Sequence, residues 1–268
     1  MADRPARRGL GNTLKSAFET AINVQQPVVA AYVQRARRRH PEATPAELIS
    51  TLEKQYLAAV TGAGAAVGGV AAAPGVGTGV AVAMSAGETV TFLETTALFA
   101  LAVAEIHGVR VEDVERRRTM LLAVLLGDSG PKLIEKVAGR TGKHWGTLLT
   151  DAIPNSSISS INKTLGRWFV TKYGTRQGIL VIGRVAPFGI GAAIGAGGNL
   201  VVGRSVIAGM HRAFGPPPTT FDTEQDISGD HAPGRLAPPR VFASQVDSAV
   251  SGHSRSTRWW PSIPSRRR

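Results

Sequence analysis

The sequence predicts an all-α protein: a single helical domain built around two Pro-broken, Gly/Ala-rich hydrophobic helical hairpins, followed by a disordered tail. Three observations predict it. Apolar residues recur at three- and four-residue steps through much of the first 214 positions, the period of a helix with one buried face. Two long segments carry no charge and are rich in small residues: residues 55–87, with eight glycines, and residues 185–203, with six. Beyond residue 214 eight of the 16 prolines gather and no apolar period survives, as in segments that cannot bury a core. The chain therefore divides into a flexible N-terminus (1–11), a helical domain (12–214) and a Pro-rich basic tail (215–268).

Each element follows from local pattern. Residues 10–39 read as a helix kinked at Pro27, with Leu14, Phe18, Ala21, Ile22, Val28, Val29 and Tyr32 on one side. Arg35, Arg37, Arg38, Arg39 and His40 suit its C-terminus, and Pro41 stops it. Thr44-Pro45-Ala46-Glu47 is a helix start, with Thr44 as N-cap, Pro45 as first helical residue and Glu47 closing a capping box. Leu48, Ile49, Leu52, Tyr56, Leu57 and Val60 continue one stripe. An Ala/Gly-rich half, 57–73, is split by Pro74-Gly75 from a second helix running from Val76 to His107. After a break at Gly108, residues 111–126 form a helix with Glu112 and Asp113 in its first turn. Short helices are expected over 131–139, 142–150 and 156–172, with Trp145, Ile158, Ile161, Leu165, Trp168 and Phe169 in the core. Helices over 176–186 and 188–213 flank Pro187, although Ile179-Leu180-Val181-Ile182 also fits a short strand.

The glycines are packing residues. Gly64 and Gly68, Gly75 and Gly79, and Gly191 and Gly195 each show the small-xxx-small spacing that lets helix backbones approach closely. The two segments are expected to pack against each other. Five polar residues stand in these apolar helices as functional candidates: Glu88, Glu94, Arg184, Asn199 and Arg204. Glu88 and Glu94 point about 120° apart on one helix, so they are no preformed acid pair. Arginine partners such as Arg184 or Arg204 are expected for them, and no catalytic set follows.

Charge frames the apolar segments. The formal net charge is +12, with net +4 in residues 1–60, −2 in 61–110, +5 in 111–176, +3 in 177–214 and +2 beyond. Such flanks suit an anionic lipid surface, at about 1 kcal/mol per basic residue. Stable spanning is disfavoured: 57–73 is short, 76–101 holds Glu88 and Glu94, and 185–203 holds Pro187, Asn199 and six glycines. The tail ends in a basic-aromatic patch, Arg258-Trp259-Trp260-Pro261 and Arg266 to Arg268. No secretory leader is recognised, because Lys15 and Glu19 interrupt the segment after Arg4, Arg7 and Arg8.

Several chemistries are excluded. There is no cysteine, hence no disulfide, thiolate nucleophile or Cys-ligated metal. The six histidines are scattered without HExxH, so neither a metal nor a cofactor is expected. Gly127-Asp128-Ser129-Gly130-Pro131 echoes a serine-protease string, but its surroundings are helical and no partner motif accompanies it. No nucleotide-binding glycine motif is complete, and no recognition fold supports specific nucleic-acid binding.

One family resemblance emerges from the order of blocks. His40-Pro41, Glu47 to Tyr56-Leu57 and the run through Pro74-Gly75-Val76-Gly77 come first. Gly108-Val109 before Arg116-Arg117-Arg118 follows, then Pro187-Phe188-Gly189-Ile190-Gly191-Ala192-Ala193-Ile194-Gly195 ending at Asn199. Over roughly residues 12–214 this resembles the EcsC protein family. The resemblance implies an all-helical, membrane-associated protein linked to transport or secretion, and supplies no catalytic residues. The expectation is a cytoplasmic protein, peripheral to or partly embedded in the inner face of the cell membrane. Its partners would be a membrane surface, anionic lipid or a membrane protein. Two alternatives stand beside it: a hydrolase using Glu88 or Glu94 in an interhelical pocket, and a basic scaffold binding nucleic acid non-specifically.

Overall fold

Eight helices and no strand occur among the described residues of the computed structural model, which are 14–24, 26–71, 78–138, 144–147, 153–184 and 190–221. They are α1 (residues 14–22), α2 (Gln26–Arg39), α3 (Pro45–Ala71), α4 (Thr78–Ile106), α5 (Val114–Leu126), α6 (Ser129–Ala138), α7 (Asn155–Arg184) and α8 (Ile190–Phe214). All belong to one unit, Met1–Leu236. The N-terminal eleven residues, Pro74, Gly75, Pro187 and the tail from residue 222 lie outside the described residues.

Local chemistry accounts for the helix ends. Thr44 and Glu47 form the expected capping box: Glu47 Oε2 accepts from the Thr44 amide at 2.9 Å, and the Glu47 amide donates to Thr44 Oγ1 at 3.3 Å. Asp113 caps α5 by accepting from the Arg116 amide at 2.8 Å. So α5 starts at Val114, and Glu112 and Asp113 precede its first turn rather than filling it. Gly108 ends α4 at φ 73°, where its amide donates to Glu105 O and the Val109 amide donates to Ala104 O; this left-handed geometry suits glycine. The break near Pro27 falls earlier than expected, at residues 23–24, and Pro27 sits in the first turn of α2, where a missing N–H costs nothing.

Two expectations change in the second half. Residues 155–184 form one continuous α7 instead of separate helices, and Ile179 to Ile182 are helical. Ile158, Ile161, Leu165 and Phe169 line its buried face, but Trp168 is 53% exposed because it lies one residue off that stripe. The protease-like string is an α5–α6 corner: Gly127 is the α5 C-cap, and a Cβ on Gly130 would strike the Ala123 backbone.

The core centres on α4 and α5. Ala97 to Ala104 and Thr119 to Leu126 are buried without interruption, so both helices are enclosed on all sides there. α4 packs on α2, α3 and α8, and α5 packs on α6, α7 and α8.

Among the described residues α3 and α8 make the most extensive packing; the two small-residue segments were expected to pack against each other. They run antiparallel. A Cβ on Gly64 would lie 2.5 Å from Gly195 O and 2.7 Å from Asn199 Nδ2. One on Gly203 would lie 2.9 Å from a Leu57 methyl. Gly68 is also buried on α3, while Gly79 and Gly191 lie within α4 and α8.

Three consecutive arginines join α5 to the α1 region and to the start of α7. Arg117, 5% exposed, donates to Ile22 O at the end of α1 and Val24 O just beyond it, and to Val111 O and Glu112 O before α5. Arg118 grips both Glu19 oxygens, at 3.0 and 2.7 Å. Arg116 reaches Ile153 O and Asn155 Oδ1 at the start of α7. Neighbouring helical residues point about 100° apart, so one short run serves three directions.

Two stability outcomes follow. Gly64→Ala is expected to lower stability by roughly 1–3 kcal/mol through overpacking. Gly62→Ala, where the added carbon meets open space, is expected to raise it by about 0.4–1 kcal/mol; urea denaturation of the pair reads both. Arg117→Met is expected to cost on the order of 3 kcal/mol, because buried carbonyls lose their donor. Arg117→Lys should recover only part in the same assay, since one ammonium cannot span all four acceptors.

Candidate functional site

The α3–α8 seam holds two of the five polar candidates. Asn199 comes one turn after Gly195, so its side chain enters the space that the glycine contact opens. Its Nδ2 donates to Val60 O at 2.8 Å and to Glu88 Oε1 at 2.8 Å. Glu88 and Asn199 are 7% and 8% exposed. The described partner of Glu88 is thus a neutral amide. The cluster joins α3, α4 and α8 at one level.

The other candidates lie apart from it. Glu94 is half-buried on a different face of α4, and burial raises its carboxyl above the ordinary range. Arg204 is exposed on α8, and Arg184 is the last residue of α7. Glu88 and Glu94 therefore do not converge as an acid pair. A hydroxyl contact also braces α3 against α4: Tyr56 Oη and Thr96 Oγ1 are 3.0 Å apart, Thr96 donates to Phe92 O, and the Tyr56 ring stacks on Phe99 at 4.5 Å.

Two polar groupings were not visible as such in the sequence. Between α5 and α7, Thr119 Oγ1 donates to Asn162 Oδ1 at 2.8 Å, and Asn162 Nδ2 donates to Glu115 O and Glu115 Oε2. At the C-terminal end of α8 three histidines gather. His107 stacks on Phe214 at 5.2 Å, His211 Nε2 lies 2.7 Å from Glu53 Oε1, and a Cβ on Gly215 would strike the His144 ring. Burial pushes the His107 imidazole down to about 4, with His211 and His144 adding to the effect. No group of three or more His, Cys, Asp or Glu side chains suited to a metal ion occurs among the described residues.

What the seam can do chemically is limited by its hydrogen bonds. A carboxylate already accepting from an amide in a closed helix contact is poorly placed to take a substrate proton. Its physical effect is to fix register. Asn199→Ala is expected to cost about 1–3 kcal/mol, since Val60 O has its helical partner but Glu88 loses a buried donor. Glu88→Gln, whose amide oxygen can still accept, should cost less; thermal melts rank the two.

The histidine end sets a pH dependence. An unfolded His107 would titrate near 6.5 and the folded one near 4, so the unfolded chain binds the extra proton between these values. The stability present above pH 6.5 is expected to fall as pH drops toward 4. Glu94 and Glu105, raised by burial, act in the opposite sense. The measurement is therefore the difference between His107→Phe and the parent: the variant's melting temperature should decline less over this window.

No family model, curated protein or solved structure matches the chain.

Proposed function

We propose that the protein is a membrane-associated helical protein of the EcsC kind. It sits on the cytoplasmic face of a membrane and acts through lipid or protein contacts in transport or secretion. The observation that carries this reading is the outer surface of the α3–α8 pair. Ala58, Gly62, Ala66, Gly69 and Val70 are exposed on α3, and Ala193, Gly197 and Val201 on α8. None bears a charge, and Val201 is 64% exposed. Added carbons at Gly62 and Gly197 meet open space, so these glycines answer to no close contact within the chain. Glycine inside a helix costs up to about 1 kcal/mol relative to alanine. A smooth, small-residue surface flanked by basic segments fits shallow contact with lipid or with another helix.

α4 supports a peripheral mode. Gly87–Ile106 is long and apolar enough to cross a membrane, yet 78% of its most apolar window is buried. Enclosed by α2, α3 and α8, it serves as a core helix, and the lipid-facing role falls to α3 and α8.

Flotation with vesicles containing phosphatidylserine tests the reading. The parent should float. A Gly62→Glu, Val201→Glu variant should lose roughly tenfold or more in binding, as two acids at the lipid surface would cost about 1 kcal/mol each. A parent that stays unbound at low salt, or a variant that binds equally, overturns the proposal.

A further inference from the structure

We propose that the contact between residues 144–147 and the C-terminal end of α8 is an acid-released latch, opened by a proton on His107. Several contacts define the closed form. The Gly146 amide donates to Ala213 O at 2.9 Å, and a Cβ on Gly146 would lie 2.8 Å from the Phe214 ring. The same ring stacks on His107, with 5.2 Å between centroids, so Phe214 links the turn to the imidazole. The His144 ring takes the place of a Cβ at Gly215, whose φ is 76°. Within the turn, Thr147 Oγ1 donates to His144 O, which holds residues 144–147 together as a piece. Trp145 is buried beneath it, and its indole N–H has no acceptor among the described residues.

The closed site resists a charge on His107. Burial disfavours the imidazolium, and His211 on α8 and His144 in the turn add to the effect. The carboxylates nearby are engaged elsewhere. Glu53 on α3 faces His211 at 2.7 Å, Glu105 at the end of α4 faces Arg110 and Gln26, and Asp128 pairs with Arg212 of α8. Residues 215–221 carry no charge. A proton on His107 therefore acquires two imidazole neighbours and no counter-ion of its own.

Opening the contact relieves this, because the imidazole gains water and loses His144. It then titrates near 6.5 instead of about 4. The open form binds the extra proton between these values, so acid favours opening. Closure is fully present above pH 6.5 and is lost as pH falls toward 4. From about pH 7 to about pH 5 the opening equilibrium should rise roughly tenfold or more. The unpaired indole N–H adds a pH-independent push, since a buried donor without an acceptor is hydrated once the turn lifts. The latch thus opens more readily than the core. What it uncovers is Trp145 and Phe214, an aromatic surface hidden at neutral pH and presented in acid.

Native-state hydrogen exchange of the full chain, followed by NMR, tests this. The protection factor of the Gly146 amide should fall roughly tenfold or more between about pH 7 and about pH 5, while that of the buried Leu122 amide in α5 holds. In His107→Phe and in His107→Gln the fall at Gly146 should be lost. Equal protection of Gly146 at both pH values overturns the proposal. A parallel fall at Leu122 also overturns it, because the whole domain is then unfolding. So does a fall that persists in either variant, since another group then drives it. The imidazole's own titration in the parent needs no variant: a midpoint at 6.5 means that closure does not oppose the proton, and it overturns the latch. No lipid is present, so the outcome is independent of the membrane reading.

Discussion

The backbone contact between α3 and α8 at Gly64 and Gly195 is the constraint on which the rest of the fold depends. Gly64 has no room for a Cβ: the carbonyl of Gly195 already occupies the space beside it. At this separation Asn199 reaches the Val60 carbonyl, which also serves its own helix, and Glu88 on α4 at the same time. Gly203, one turn further, receives Leu57 and Val60. The repeat is four residues along α8, the spacing at which ridges of one helix enter grooves of another. A polar group in such a seam adds little net energy beyond an apolar one, but it penalises every other register.

The arginine triplet solves a different problem. α1 and α2 precede the core and must be attached to it, and their junction leaves carbonyls at the end of α1 without helical donors. Arg117 supplies those donors from α5, and Arg118 holds Glu19 on the same helix. Arg116 fastens the entry to α7. Apolar packing sets the centre of the protein, and directional cationic hydrogen bonds attach its periphery.

What could be read in the sequence was local or periodic. The Thr44 capping box needs only three residues of context, and the small-residue spacing of α3 and α8 is a property of each helix alone. Sequence alone does not place the start of α5, because Glu112 and Asp113 suit a first turn and a cap equally; the Asp113–Arg116 hydrogen bond separates them. The continuity of α7 is hard to read because its apolar stripe thins after Phe169, although no proline interrupts it. Trp168 is expected in the core, but the register of Ile161, Leu165 and Phe169 faces it outward. Glu88 and Asn199 stood out as polar residues in apolar helices, yet their pairing spans 111 positions and depends on tertiary register. The histidines around Phe214 come from three separate elements, and no sequence spacing marks their meeting.

The seam also has a consequence for synthesis. The Val60–Asn199 contact closes across 139 residues, so α3 leaves the ribosome long before α8 exists. At about 5–20 residues per second the delay is roughly 7–28 s. Throughout it, the glycine groove of α3 lacks α8, and α4 has α2 and α3 but not α8 to cover it. A nascent chain in that condition is a substrate for chaperones, or for any apolar surface that reaches it before its own last helix does.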